Sequence, residues 1–277
     1  MEIHSIIVIA QLTLAEARRR RIVIAALLCA LVLLAVFSTG AYFAGRAQTT
    51  TFIERQTMFT VLSLAGMYNV NFLSILFAVL LPVDSLSGEI DSGVMQTLAV
   101  KPVHRSAIVI GKWLGNALLV TGYISVLAVG VLLSVRFFGG FSPVYLTRAL
   151  PLMLLEVVLL TTVSIAGGTR FSTVTNGILG LGYYGIAFIG GWLEQVGALS
   201  RIDALRNIGV ASSLISPADA MWRLAAYKMQ PPLMRNTAIP LWSSLGGTPT
   251  GLMVWWTAAC VVLIILLAIR TFARRDL

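Results

Sequence analysis

Six apolar stretches of membrane length constrain this chain more than any other feature. A hydrocarbon core about 30 Å thick asks for roughly 20 apolar residues per helix, and a lone segment there must satisfy its own backbone as a helix. The runs near Ile22–Phe43, Phe59–Leu81, Ala107–Val135, Ala149–Gly167, Thr173–Leu193 and Gly251–Ile269 meet that length. The expected fold class is an all-α polytopic membrane protein, with residues 1–277 as a single transmembrane domain. Composition agrees: 58% of residues are hydrophobic and 11% charged, where a soluble domain carries about 25% charged residues. Lys112 and Trp113, early in the third run, read as a snorkelling cation and an interface aromatic.

Before the first run, Ile3, Ile6, Ile7, Ala10, Leu14 and Ala17 recur at helical steps, while Glu2, His4, Gln11 and Glu16 lie elsewhere on the wheel. Residues 1–21 therefore predict an amphipathic helix suited to a membrane surface, ending in Arg18 to Arg21. That basic cluster follows too many ordered-looking residues, and precedes too long a run, for a signal peptide, so the chain is expected to be uncleaved. The net charge of +9 gathers at the ends of the runs, which points to membrane topology and away from nucleic acid. Eleven Lys and Arg fall on one set of short flanks and four on the other. By the positive-inside rule both termini are cytoplasmic and the long segment 194–250 is external. Within it, Ser216-Pro217-Ala218-Asp219 signals a helix start that runs to about Met229. This loop is expected to fold back on the membrane surface.

Residues 86–105 read LSGEIDSGVMQTLAVKPVHR, a polar stretch between the second and third runs. Leu86, Ile90, Val94 and Leu98 fall four apart and make one apolar face; Glu89, Ser92 and Gln96 fall on another. Pro102 ends the pattern. The spacing predicts a short amphipathic helix in the cytoplasmic interface, with its acids and glycines turned outward.

Asp84, Gly88, Glu89, Asp91, Gly93, Pro102, Arg105, Gly111 and Lys112 together resemble the pattern of permease subunits of ABC type-2 exporters. The layout around them, a surface helix, six spans and a long loop before the last, is similar to the six-span class that includes the membrane subunit of the nitrous-oxide reductase maturation system. The resemblance implies that residues 84–101 form a coupling helix docking into a cytoplasmic ATPase subunit, present in two copies. Asp84, Gly88, Glu89, Asp91, Gly93, Gln96 and Arg105 are the implied coupling residues, and Arg170 makes a smaller contact. It also implies pairing with a second permease, identical or different, in a bacterial inner membrane. ATP and magnesium would belong to the partner, so no cofactor is expected in this chain. A periplasmic partner protein and membrane lipids complete the expected company.

The chain has no G-x-x-x-x-G-K-[ST] loop, so it is not expected to be an enzyme in its own right. Gly180-Leu181-Gly182-Tyr183-Tyr184-Gly185 matches G-x-G-x-x-G in letters only, because it lies inside an apolar run with no preceding strand. These glycines suit close helix packing or a bend, and Gly111 with Gly115 is a similar close-packing signal in the third run. Cys29 and Cys260 are isolated, and His4 and His104 have no ligand spacing, so no metal site is expected.

Glu156 is the one acid deep within a run, and an intramembrane acid is a functional candidate. With Asn69, Asn71 and Asn116 as possible partners, it forms the set of translocation-path candidates. A proton-coupled secondary transporter using Glu156 and a non-transporting scaffold are the alternative readings. The external segment of 57 residues fits a lipidic, amphipathic or peptide cargo, or one handed to a partner, without choosing among them.

Overall fold

A computed structural model describes residues 2–46, 51–91, 93, 104–140, 147–230 and 249–274. They form ten helices, with no strand among the described residues: α1 (Glu2–Ala17), α2 (Arg21–Arg46), α3 (Phe52–Leu80), α4 (Ser87–Asp91), α5 (Arg105–Gly139), α6 (Leu150–Gly168), α7 (Thr173–Ser200), α8 (Asp203–Ile215), α9 (Ala218–Met229) and α10 (Leu252–Ala273).

Five of them, α2, α3, α5, α6 and α10, are long and apolar enough to cross a membrane. The fifth expected span coincides with the start of α7, whose 28 residues suffice in length. Its glycines, its two tyrosines and Asn176 thin its hydropathy below that of the other five. Helix α3 starts seven residues earlier than the apolar pattern does. Thr51 accepts from the Glu54 amide while the Glu54 carboxylate accepts from the Thr51 amide, a capping box that satisfies two end groups. Helix α5 has 35 residues, about 52 Å at 1.5 Å per residue, so it outruns a hydrocarbon core.

Helix α5 is the hub, touching α1, α2, α3, α6 and α10, while α6 joins it to α7 and α9. Met67, Ile75, Ile124, Leu127, Met153 and Leu159 are fully buried where α3, α5 and α6 meet. Helices α2 and α10 instead turn Leu27, Leu31, Val36, Val262, Leu263 and Leu266 outward, as suits a surface solvated by lipid.

Helix α1 departs from the simple surface helix expected of it. It lies against α5, where Gly111 and Gly115 give it room. A Cβ on Gly111 would stand 2.7 Å from the Ile9 Cβ, and one on Gly115 2.7 Å from the Thr13 Cβ and 3.0 Å from the Ala10 carbonyl oxygen. Ala10, Thr13 and Ala17 are buried in that contact, while Ile3, Ile7 and Leu12 stay exposed. The apolar stripe is thus divided between a protein face and an outward face.

The segment 194–250 also departs from expectation. Helix α7 continues through Ser200, and Arg201 (φ 56°) turns the chain back into α8. The two helices close on glycines: a Cβ on Gly190 would meet Ser212 Oγ at 1.5 Å, and one on Gly197 the Arg206 nitrogen at 2.5 Å. Helix α9 begins at Ala218, with Pro217 rather than Ser216 in the cap position and no side-chain cap bond. It is not laid on a surface. Ala218, Ala220, Met221, Trp222, Leu224, Ala225 and Ala226 are buried in the main core against α6, α7 and α3. Residues 231–248, the rest of the expected external loop, lie outside the described residues.

Candidate functional site

Two groups of polar residues hold the bundle at different places. The first surrounds residues 81–91, between α3 and α5. After α3 the chain makes a tight turn, with Ser85 N–H donating to the Pro82 carbonyl and Gly88 N–H to that of Asp84. Leu86 is fully buried and anchors a small apolar cluster with Ile108, Val109, Ile165, Ala268 and Phe272. Every neighbouring helix then fastens the turn.

From the α1–α2 junction, Arg20 donates to Asp84 and to the Leu81 carbonyl, and also pairs with Glu16 at 2.7 Å. Burial by itself would lower the Arg20 pKa, but the hydrogen bonds and charges of Glu16 and Asp84 outweigh it and raise it. From α5, Lys112 ion-pairs with Glu89, and Asn116 donates to Ser85 Oγ at 3.2 Å. From α7, Asn176 donates to the Val83 carbonyl at 3.0 Å and the Ser164 carbonyl at 2.8 Å. Asn176 reaches them because residue 167 is glycine: a Cβ there would lie 2.0 Å from Asn176 Oδ1. Ser87 shares a hydrogen bond with Thr173 at 2.9 Å.

This geometry corrects two expectations. Glu89 is not turned outward; its side chain is 17% exposed and faces Lys112, which is 5% exposed. Lys112 therefore does not snorkel, because it has a buried counter-ion instead of water. The helix expected across 84–101 is, within the described residues, a turn followed by α4, with Gly93 at φ 73° in the left-handed region that ends helices. Asp91 closes α4, and its side chain, Gln96 and residues 94–101 lie outside the described residues. Gly88 meets only the Asp84 Cβ, at an ordinary 3.4 Å. Arg105 donates to the Ala273 carbonyl at 3.2 Å, tying α5 to α10. Arg170 is exposed in the α6–α7 turn.

The second group lies inside the bundle. Asn71 of α3 donates to Glu156 of α6 at 3.4 Å, and both side chains are buried. Asn71 Oδ1 and Glu156 Oε2 are buried without hydrogen-bond partners among the described residues. Asn69 is exposed and donates only to the Ala65 carbonyl, and Asn116 belongs to the first group. Of the four path candidates, only Glu156 and Asn71 come together.

Next to them stands an ion-pair network that sequence reasoning missed. Arg223 of α9 pairs with Glu194 of α7 at 2.7 Å and with Asp219 at 2.9 Å, and donates to Ser213 of α8 at 3.1 Å. Asp219 also bears electrostatically on Glu156. Gly191 makes the approach possible, since a Cβ there would lie 2.0 Å from Asp219 Oδ2. Asp219 and Arg223, four apart on one helix, were the available signal.

Burial pushes the Asp219 carboxyl up to about 7, with Arg223 opposing and Glu194 adding to the rise. The folded state then keeps this proton to higher pH than the unfolded chain, whose carboxyl titrates near about 4. Stability is expected to fall as pH rises from about 4 to about 7 and to level off beyond. Asp219→Asn should remove this fall, so that its unfolding midpoint in detergent varies less with pH across that window than that of wild type. An unchanged pH profile in the variant would refute the assignment.

Membrane-length helices around a buried polar interior define an all-helical, multi-pass membrane protein. Residues 7–277 match the family described as ABC-2 family transporter protein, and the chain belongs to that family. It is accordingly the membrane subunit of an ABC exporter, a translocation subunit and not itself catalytic. A search of curated proteins finds no match.

Proposed function

We propose that this chain forms half of a translocation path driven by a separate cytoplasmic ATPase subunit, which docks at residues 84–101. The observation that carries the reading is the clamp on residues 81–91. A push from a nucleotide-driven partner is useful only if it moves something stiff and continuous with the spans. Arg20, Lys112, Asn116, Asn176 and Thr173 tie this turn to the α1–α2 junction, α5 and α7, and Leu86 seats it on α6 and α10. A displacement here is shared by most of the bundle.

In this reading two permease chains, alike or different, face each other over two ATPase subunits that carry ATP and magnesium. The end bearing residues 81–91 and both termini is cytoplasmic, in a bacterial inner membrane. Placement beside the membrane subunit of nitrous-oxide reductase maturation rests on the shared layout of surface helix, six spans and long penultimate loop. Glu156 and Asn71 adjoin the moving core; the cargo is lipidic, amphipathic or peptidic.

The test is co-purification of the tagged full chain with ATPase candidates encoded beside it, comparing wild type with Asp91→Arg plus Gln96→Arg. Retention by wild type and loss from the variant is the expected result. Retention of no ATPase by either chain would end the docking proposal and leave proton coupling through Glu156 to be tested.

A further inference from the structure

The end of the bundle that holds residues 81–91 also carries a groove that the exporter reading does not use. It lies between α6, α7 and α10, has a volume of about 890 Å³, and is walled by Ile178, Leu179, Ile186, Ile264 and Leu267. This is within the range of about 300–1,000 Å³ typical of ligand sites. At one end it opens into a second space of about 560 Å³ lined by Thr169, Arg170, Leu267, Arg270, Thr271 and Arg274. Thr169, Arg170, Leu267 and Thr271 border both, so the two are continuous.

The charges at that mouth differ from the others nearby. Arg20 and Lys112 each have a carboxylate partner. Arg170, Arg270 and Arg274 are exposed; among the described residues, no acidic residue lines either space and none of the three has an ion pair. Topology accounts for arginines at the ends of spans. It does not require three to converge at the mouth of one apolar groove.

We propose that this groove binds an anionic phospholipid, with an acyl chain along α7 and α10 and the phosphate among Arg170, Arg270 and Arg274. Basic pockets between membrane helices are suited to anionic headgroups, and guanidinium forks match phosphate oxygens in pairs. A protein partner would have to present an apolar ridge and an anion in the same place; a phospholipid carries both in one molecule. Arg170 is shared with the smaller ATPase contact that the resemblance implies, whereas Arg270, Arg274 and the apolar walls are not, so lipid binding is tested on the chain without an ATPase.

The experiment is native mass spectrometry of the detergent-solubilised full chain, titrated with dioleoyl phosphatidylglycerol and, separately, with dioleoyl phosphatidylcholine. One phosphatidylglycerol should be retained in preference to phosphatidylcholine. Each basic residue near a membrane surface contributes about fivefold in binding, so R170Q, R270Q and R274Q combined should weaken that preference by on the order of 100-fold. The corresponding triple lysine variant, which keeps the charge, should retain most of it. Gly182 lines the groove, with nothing within 4 Å of where a Cβ would stand, so G182F should fill it and weaken phosphatidylglycerol binding with all three arginines in place. Equal affinity for the two lipids, or no change in the glutamine variant, would overturn the proposal. So would displacement of the lipid by millimolar inorganic phosphate, since the site would then be a plain anion site.

Discussion

Replacing Arg223 by methionine is expected to cost about 3–5 kcal/mol of stability, the range for stripping one partner from a buried ion pair. Its side chain is 6% exposed, and those of Glu194 and Asp219 are 14% and 7% exposed. Removing the guanidinium leaves Glu194 and Asp219 in the core without their counter-charge, beside Glu156, which already has a bare oxygen. The local response is to release α9 from α6 and α7, because α9 carries both Arg223 and Asp219. Unfolding of the purified protein by denaturant in mixed micelles reads the loss. A triple variant, Arg223→Met with Glu194→Gln and Asp219→Asn, should recover much of it, since neutral residues of similar volume need no counter-charge. If the single variant is as stable as wild type, the network does not hold α9 in place.

The second large effect is expected at Lys112. Lys112→Met removes the ammonium that faces Glu89 and leaves an acid largely shielded from water under the turn. The cost is again about 3–5 kcal/mol, but it falls on the clamp around residues 81–91. The variant should therefore lose stability and, in the exporter reading, transport coupled to ATP hydrolysis. Lys112→Met combined with Glu89→Gln should restore the stability while leaving α4 unanchored by charge. Stability restored without coupling would assign the pair a role in transmitting motion. Stability and coupling restored together would make it a packing element only. Single and double variants compared as a cycle separate the two.

The parts of the fold that were legible in the sequence are those set by one helix meeting lipid. Apolar length announced α2, α3, α5, α6 and α10, and Ser216 to Asp219 marked the start of α9 to within a residue or two. Gly111 and Gly115 were legible as close-packing residues, though not as the bed of α1. The polar stretch after α3 stood out because charge between two spans is conspicuous, and residues 81–91 within it are tied to several helices.

Other features depended on which residues meet across the chain. The orientation of Glu89 follows from Lys112, 23 positions away, and Glu194 finds Arg223 29 positions on. A helical wheel sees only neighbours three and four apart, so it turned Glu89 towards water. Asn176 was overlooked because nothing nearby shows that Gly167 leaves room for it to reach the Val83 carbonyl. Segment 194–250 was read as external from the count of basic residues on the short flanks, and was expected to lie on the membrane surface. Helix α9 is buried in the bundle instead of lying on a surface, since Arg223 is paired with Asp219 and with Glu194 of α7 and its small residues fit against α6 and α7. Hydropathy and length are sums over adjacent residues, and they settled the class and the spans. Pairing of buried charges depends on three-dimensional distance, and only the folded bundle decided it.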